Sequence, residues 1–168
     1  MFNIFYPDEY ADSSFDIDYE ALWKKGIRGL LFDIDNTLAE HGMDADERAV
    51  KLLLGLKNKG FKICLLSNNK EERVQRFNKD IQVSYIHKSG KPSVSAYIKG
   101  MEKTGTALSE TVFIGDQIFT DIFGANRAGM YSILVKPIAE HEEIQIVLKR
   151  KLEKIVLYFY KKKMRNGD

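Results

Sequence analysis

Two carboxylates, one residue apart, follow an apolar run in Gly29-Leu30-Leu31-Phe32-Asp33-Ile34-Asp35-Asn36-Thr37. A carboxylate placed there can attack an electrophile or pass a proton, and a pair can divide the two tasks. Facing a phosphate dianion it needs a cation, because two like unit charges ~4 Å apart repel by roughly 4 kcal/mol at an effective dielectric of 20. Mg²⁺ suits hard oxygen ligands, keeps several waters and shares a substrate phosphate with one or two carboxylates. A second acidic pair, Asp116 and Asp121, lies across a turn in Gly115-Asp116-Gln117-Ile118-Phe119-Thr120-Asp121 and reads as a grip on a metal. Ser67-Asn68-Asn69 offers a hydroxyl and free backbone N–H groups to phosphate oxygens. Lys91, in Lys88-Ser89-Gly90-Lys91-Pro92, stands just before a helical stretch whose first-turn N–H groups already favour an anion.

These clusters need elements to hold them. Short apolar runs at 27–32, 61–66, 83–86, 111–114 and 131–135 read as five strands. Between them, Val50, Leu53 and Leu54, then Val94, Tyr97, Ile98 and Met101, recur at helical spacing, and a shorter helix falls around 118–128. Asp44 or Asp46 caps the first helix and Gly60 closes it. Pro92 suits a first turn, Gly105 and Gly129 suit C-terminal caps, and 71–80 is a polar helix. Alternating strands and helices imply an α/β fold with a parallel sheet, since parallel neighbours need crossover connections. Each of the four clusters follows or faces a strand end, where open parallel sheets bind ligands.

Composition narrows the class. The chain has 168 residues, 44% hydrophobic and 30% charged, with three prolines, which describes one globular unit spanning 1–168. The single cysteine, Cys64, sits in an apolar run and excludes a disulfide framework or a cysteine metal cage, so a reducing cytoplasm is expected. His41, His87 and His141 show no metal-ligand spacing. No apolar stretch is long enough to span a bilayer, and the N-terminus lacks the order of a signal peptide.

Read together, D-x-D-N-T at 33–37, a strand-ending Ser67, Lys91 before a helix and G-D-x-x-x-x-D at 115–121 resemble the haloacid-dehalogenase superfamily. The likeness extends to its YqeG-type phosphatases of subfamily IIIA, which are similar to phosphatidylglycerophosphate phosphatases. Phe5-Tyr6-Pro7-Asp8-Glu9-Tyr10, Lys91-Pro92, Gly124, Asn126-Arg127, Gly129, Leu134-Val135 and Pro137 extend it over about 5–137. The resemblance implies a Rossmann-like three-layer sandwich around a central parallel sheet of about five strands. It implies that Asp33 attacks phosphorus, forming an aspartyl phosphate, while Asp35 protonates the leaving oxygen and then activates water. Asp33, the backbone carbonyl of Asp35, and Asp116 would ligate Mg²⁺, with Asp121 assisting. Ser67 and Lys91 would hold the transferring phosphoryl group, with Asn68 beside them. Arg127 is a candidate for either a substrate contact or an ion pair with Asp121.

Too few residues lie between 36 and 61, or between 67 and 91, for an inserted cap, so the site is expected to be open to a bulky phosphate ester such as a phospholipid head group. Eight of the 26 basic residues fall between Lys149 and Arg165 against one acid, Glu153, so the rest of the chain is net negative. The stretch 140–165 reads as a basic amphipathic helix, with Leu148, Leu152, Ile155 and Phe159 on one face and Ile144 a turn earlier. That face packs on the domain or, with Tyr158 to Tyr160 and Lys161 to Lys163, meets an anionic membrane surface from the cytoplasmic side. A phosphatase of nucleotides or nucleic-acid ends, or a non-catalytic membrane or RNA binder, are the alternatives. No aromatic stacking platform supports nucleic acid, and a pure binding role leaves the acidic residues without a purpose.

Overall fold

A computed structural model of the chain describes residues 3–139 and 144–166, and in the last helix the side chains from Lys149 to Arg165. In chain order the elements are β1 (Glu9–Ala11), α1 (Tyr19–Lys24), β2 (Gly29–Phe32), α2 (Glu47–Lys59), β3 (Lys62–Leu66), α3 (Glu71–Asn78), β4 (Ser84–Ile86) and α4 (Val94–Thr104). They continue with β5 (Thr111–Gly115), a π-helical turn (Ile118–Ile122), α5 (Phe123–Arg127), β6 (Tyr131–Val135) and α6 (Ile144–Asn166). The first α2 turn is capped by Asp46, whose carboxylate accepts the Ala49 N–H at 2.8 Å, while Asp44 pairs with Arg76 across the surface. Pro92 lies ahead of α4 rather than inside its first turn, and Gly105 closes that helix.

All pairings are parallel, in the order β1-β6-β5-β2-β3-β4. There are six strands where periodicity indicated five. β1 has three residues and pairs Glu9 with Ile133 and Ala11 with Val135 at the sheet edge, and a strand that short carries no readable alternation. From β2 the chain runs outward through β3 and β4, then returns to lay β5 on the other side of β2. Strand order therefore reverses between β2 and β5, which opens a crevice beyond their carboxyl ends. Asp33 leaves one of these strands and Asp116 the other.

Strand side chains alternate between two covered faces. Leu30, Phe32, Leu65, Val112 and Ile114 pack with Leu22 of α1, Leu53 and Leu56 of α2, and Val74 and Phe77 of α3. Leu31, Cys64, Leu66 and Phe113 pack with Ala96 and Tyr97 of α4 and Ala125 of α5. The result is a three-layer α/β sandwich, and among the described residues no cap is inserted over the crevice. Cys64 is a buried free thiol, and burial pushes it up to about 12.

The last helix docks by a different face from the one its apolar pattern indicates. Leu152, Ile155 and Phe159 are 53%, 55% and 48% exposed, whereas Glu153 is buried and Val156 and Leu157 pack on the cluster of Ile118, Ile122 and Leu134. Tyr160 meets Tyr6 edge to face. The inward face is thus a buried acid flanked by partly buried apolar residues, which a hydropathy wheel reads as mixed. The side chains of Ile144 and Leu148 lie outside the described ones, as does the helix start expected at 140.

Two glycine positions separate packing from propensity. A Cβ at Gly124 would stand 2.3 Å from the Tyr97 hydroxyl, and that ring is fully buried. Gly124→Ala is expected to lower stability by about 1–3 kcal/mol through overpacking. Gly55 sits in the exposed middle of α2 with nothing within 4 Å of a built Cβ, so Gly55→Ala is expected to raise stability by roughly 0.5–1 kcal/mol. Urea unfolding of both variants reads the two signs.

Candidate active site

Three carboxylates from separate segments converge in the crevice. One oxygen each from Asp33, Asp116 and Asp121 lie within 4.8 Å of one another, and all three residues are buried. Into this group the Lys91 ammonium projects, 2.6 Å from Asp33 Oδ1 and 2.8 Å from Asp121 Oδ1, with its side chain only 3% exposed. Asp121 also closes the loop after β5, since its Oδ2 accepts the N–H groups of Asp116 and Gln117, both at 3.1 Å. Gly115 permits this approach: a Cβ there would stand 2.5 Å from the same oxygen. Thr37 Oγ1 donates to Asp116 Oδ1 at 3.2 Å, tying the first acidic segment to the last.

Burial of like charges dominates the electrostatics. Burial, only partly opposed by Lys91 and reinforced by Asp121, pushes the Asp33 carboxyl up to about 6. Asp116 is raised well above the ordinary carboxylate range by burial, then by Asp33 and Asp121, against the pull of Arg150. Burial alone would depress Lys91, but Asp121 and Asp33 outweigh it and hold the ammonium above its ordinary range. Three hard oxygen donors with one lysine among them carry an excess of buried negative charge, and that donor set fits a small divalent cation.

The other residues named from sequence take distinct places. The Asp35 carboxylate is not among the converging three; it accepts from Asn69 Nδ2, from Arg73 Nη2 at 3.0 Å and from the Gly42 N–H at 2.8 Å. Side-chain ligation of a shared ion by Asp35 is therefore not what this arrangement offers. Ser67 is buried at the end of β3, its Oγ accepting the Asn69 N–H at 3.1 Å. Asn68 turns to the lysine loop: Oδ1 accepts from Ser89 Oγ and the Lys91 N–H, both at 2.9 Å, and Nδ2 donates to the Lys91 carbonyl at 3.1 Å. It braces Lys91 instead of presenting a free amide to phosphate. Arg127 is exposed, with its guanidinium 5.3 Å from the Phe123 ring centre, and Asp121 pairs with Lys91. His41 and His87 join no metal-type cluster among the described residues, and His141 lies outside them.

Sequence reading missed a cation from the other end of the chain. Arg150 of α6 donates to the Asp116 carboxylate and to its backbone carbonyl, and Arg150 Nη1 reaches Glu153 Oε2 at 3.0 Å. Glu153 Oε1 in turn accepts the Ile118 N–H at 2.8 Å. Burial raises the Glu153 carboxyl, opposed by Arg150. The local sign of this pair was an arginine and an acid three apart in a basic helix, a pattern equally at home on a solvated face.

The fold and the carboxylate cluster define a haloacid-dehalogenase-like hydrolase, and comparison with known proteins agrees. A HAD-hydrolase-like family model matches residues 88–143. The chain is 33% identical to the probable phosphatase YqeG of Bacillus subtilis over 95% of its own length and 93% of that protein. It is 30% identical to phosphatidylglycerophosphate phosphatase 1 of Arabidopsis thaliana over 90% of its own length, spanning 46% of that longer protein. Among solved structures, NagD of E. coli superposes with a TM-score of 0.56 at 14% identity, covering 72% of this chain and 91% of NagD. A cobalt-bound deoxy-D-mannose-octulosonate 8-phosphate phosphatase of Haemophilus influenzae superposes at 0.52 with 20% identity, covering 68% of this chain and 70% of that one. These two likenesses concern the fold. The chain belongs to the YqeG family of haloacid-dehalogenase-like phosphatases, enzymes that hydrolyse phosphate esters.

Raised carboxyl values make stability depend on pH with a definite sign. A folded acid with a raised value binds its proton more tightly than the unfolded chain does, so its contribution is full below the ordinary range and is lost as pH rises through the folded value. Stripped of divalent ions, the protein is expected to lose stability from about pH 4 to about pH 6, the Asp33 value. Mg²⁺ is expected to restore it, by about 2.7 kcal/mol at 100 times Kd. Arg150→Met is expected to lower the Tm of the stripped protein more than that of the Mg²⁺-loaded one, because a bound ion replaces the lost charge on Asp116. Calorimetry of both proteins with and without Mg²⁺ checks each point.

Proposed function

We propose that the chain is a Mg²⁺-dependent phosphatase that removes the terminal phosphate monoester of a phospholipid head group, with Asp33 as nucleophile. The observation that carries the chemistry is the convergence of Asp33, Asp116 and Asp121 around Lys91 at the reversal point of a parallel sheet. Asp33, Asp116 and the backbone carbonyl of Asp35 would hold the ion, with Asp121 beside them. When bound, the cation neutralises phosphate charge and lets a carboxylate approach.

The rest falls to side chains. A carboxylate oxygen of Asp33 forms a bond to phosphorus as the ester P–O bond breaks. The leaving oxygen takes a proton from the Asp35 carboxyl, which gives up its bond to Asn69, Arg73 or Gly42 for this purpose. Asp35 then draws a proton from water, the water oxygen attacks the phosphorus of the aspartyl phosphate, and the bond to Asp33 breaks. Inorganic phosphate departs and Asp33 is again a carboxylate. Lys91 neutralises the phosphoryl oxygens and Ser67 donates to them; one well-placed donor of this kind is worth about 3 kcal/mol of barrier. Asn68 keeps Lys91 in place.

Three observations support a lipid-borne substrate. The crevice has no cap among the described residues, so a head group can enter while its chains stay in a bilayer. α6 presents Leu152, Ile155, Tyr158 and Phe159 outward, all about half exposed or more, with Lys151, Lys154 and Lys162 on their flanks. An apolar strip edged by lysines suits an anionic membrane surface on the cytoplasmic side. Two relatives, from Arabidopsis thaliana and Chlamydomonas reinhardtii, are phosphatidylglycerophosphate phosphatases of which this chain spans 46% and 55%.

With Mg²⁺ present, Asp33→Asn is expected to reduce phosphate release from p-nitrophenyl phosphate by at least about 10³-fold. Turnover of phosphatidylglycerophosphate in vesicles is expected to exceed that of soluble sugar and nucleotide phosphates by at least about tenfold in kcat/KM. A clear preference for a soluble phosphate defeats the lipid assignment, and an active Asp33→Asn enzyme defeats the nucleophile.

A further inference from the structure

Phosphoryl transfer at Asp33 leaves one feature of the molecule unused. A cavity of about 480 Å³ lies between the inner side of α6 and the carboxyl end of β6, and Asp116 and Arg150 form part of its lining, so it adjoins the carboxylate cluster. Tyr10, Leu134 and Leu157 give it an apolar wall, while Lys136, Lys151 and Lys154 give it a cationic one. Each of the three lysines is exposed, and none has a carboxylate partner among the described residues. The two acids in the lining, Asp116 and Glu153, are both already bound by Arg150. The cavity therefore offers uncompensated positive charge beside hydrocarbon, next to one of the three converging carboxylates.

That pairing of walls selects a chemistry. A purely apolar ligand would leave three ammonium groups without use, and a small free anion would leave the apolar wall bare. An amphiphile whose anionic group adjoins hydrocarbon satisfies both, and lysine stems can lie along its apolar part while their ends meet the charge. We propose that this cavity is a substrate subsite for an internal phosphodiester, the anionic link between the scissile monoester and the apolar chains of a phospholipid. The assignment rests on the lipid reading above and extends it: the same molecule is gripped at its reacting phosphate by Lys91 and at its second phosphate by Lys136, Lys151 and Lys154. α6 then acts as the wall that measures the distance between two phosphates, with Arg150 and Glu153 fixing that wall to the catalytic segments.

Binding of dihexanoyl-phosphatidylglycerol, held below its aggregation concentration, tests this on the Mg²⁺-loaded protein. The probe has the diester and short chains but no monoester, so it cannot be turned over. Calorimetric titration is expected to show binding, at least about tenfold weaker for dihexanoyl-phosphatidylcholine, which has the same chains and no net charge. Lys136→Gln/Lys151→Gln/Lys154→Gln is expected to weaken binding of the anionic lipid by about 10- to 100-fold. Lys99→Gln/Lys149→Gln/Arg165→Gln, which removes equal charge at exposed positions outside the cavity, is expected to change it less than about twofold. Thermal unfolding confirms that each variant is folded, and Lys151→Gln alone serves if the triple variant is not. No binding by the wild type, equal binding of phosphatidylcholine, or equal loss in both triple variants overturns the subsite. So does a sedimentation experiment in which the cavity is filled by a second copy of the chain, seen as a dimer that the cavity variant dissociates. Binding of the probe without vesicle turnover of phosphatidylglycerophosphate would overturn the lipid-phosphatase reading and leave the cavity as a site for amphiphilic anions; the reverse result would overturn the subsite alone.

Discussion

A lysine ammonium locked between two buried carboxylates is the interaction around which this molecule is arranged. Lys91 is 2.6 Å from Asp33 and 2.8 Å from Asp121, with almost no contact with solvent. Taking such charges out of water costs several kcal/mol per ion unless geometry and hydrogen bonds return it. The fold supplies that geometry from three directions. Asp33 extends β2, Asp121 folds back onto the loop after β5, and Asn68 at the end of β3 clamps both sides of the Lys91 peptide. A displaced strand end would leave a buried charge unmatched, so the register of the three central strands and the layout of the site are one constraint.

The same balance explains why the crevice invites a cation. Lys91 pairs with Asp33 and Asp121 but leaves Asp116, and burial raises both Asp33 and Asp116 above their ordinary values. Charge of that kind favours any cation that can reach it. In this structure Arg150 meets the need at Asp116, arriving from a helix more than thirty residues on in the chain. Glu153 holds Arg150 and also binds the Ile118 N–H, so one turn of α6 grips both the acid and the π-helical turn beside it. A helix secured through its polar side is free to turn its apolar side outward, which accounts for the exposure of Leu152, Ile155 and Phe159.

Local sequence and tertiary structure divided the determination of this protein along a physical line. Strands β2 to β6, their alternation with helices, a cap at either Asp44 or Asp46 and the strand-end placement of Asp33, Ser67 and Asp116 were legible in the chain. Each rests on the spacing of apolar residues or on short-range hydrogen bonding, and those act over a few neighbours. The pattern of acids, serine and lysine likewise indicated phosphate chemistry, because few other tasks require those groups in that order at strand ends.

What local pattern could not decide was who meets whom. β1 is too short to alternate and exists only because the edge of β6 is there to pair with it. Asn68 reads as a phosphate ligand until the Lys91 loop folds over it, and nothing local announces that Arg73 and Asn69 will hold the Asp35 carboxylate. The docking face of α6 went unread for the same reason: hydropathy ranks Arg150 and Glu153 as solvent-facing, and only the buried charge of Asp116, contributed by a distant strand, makes that face the favourable one to bury.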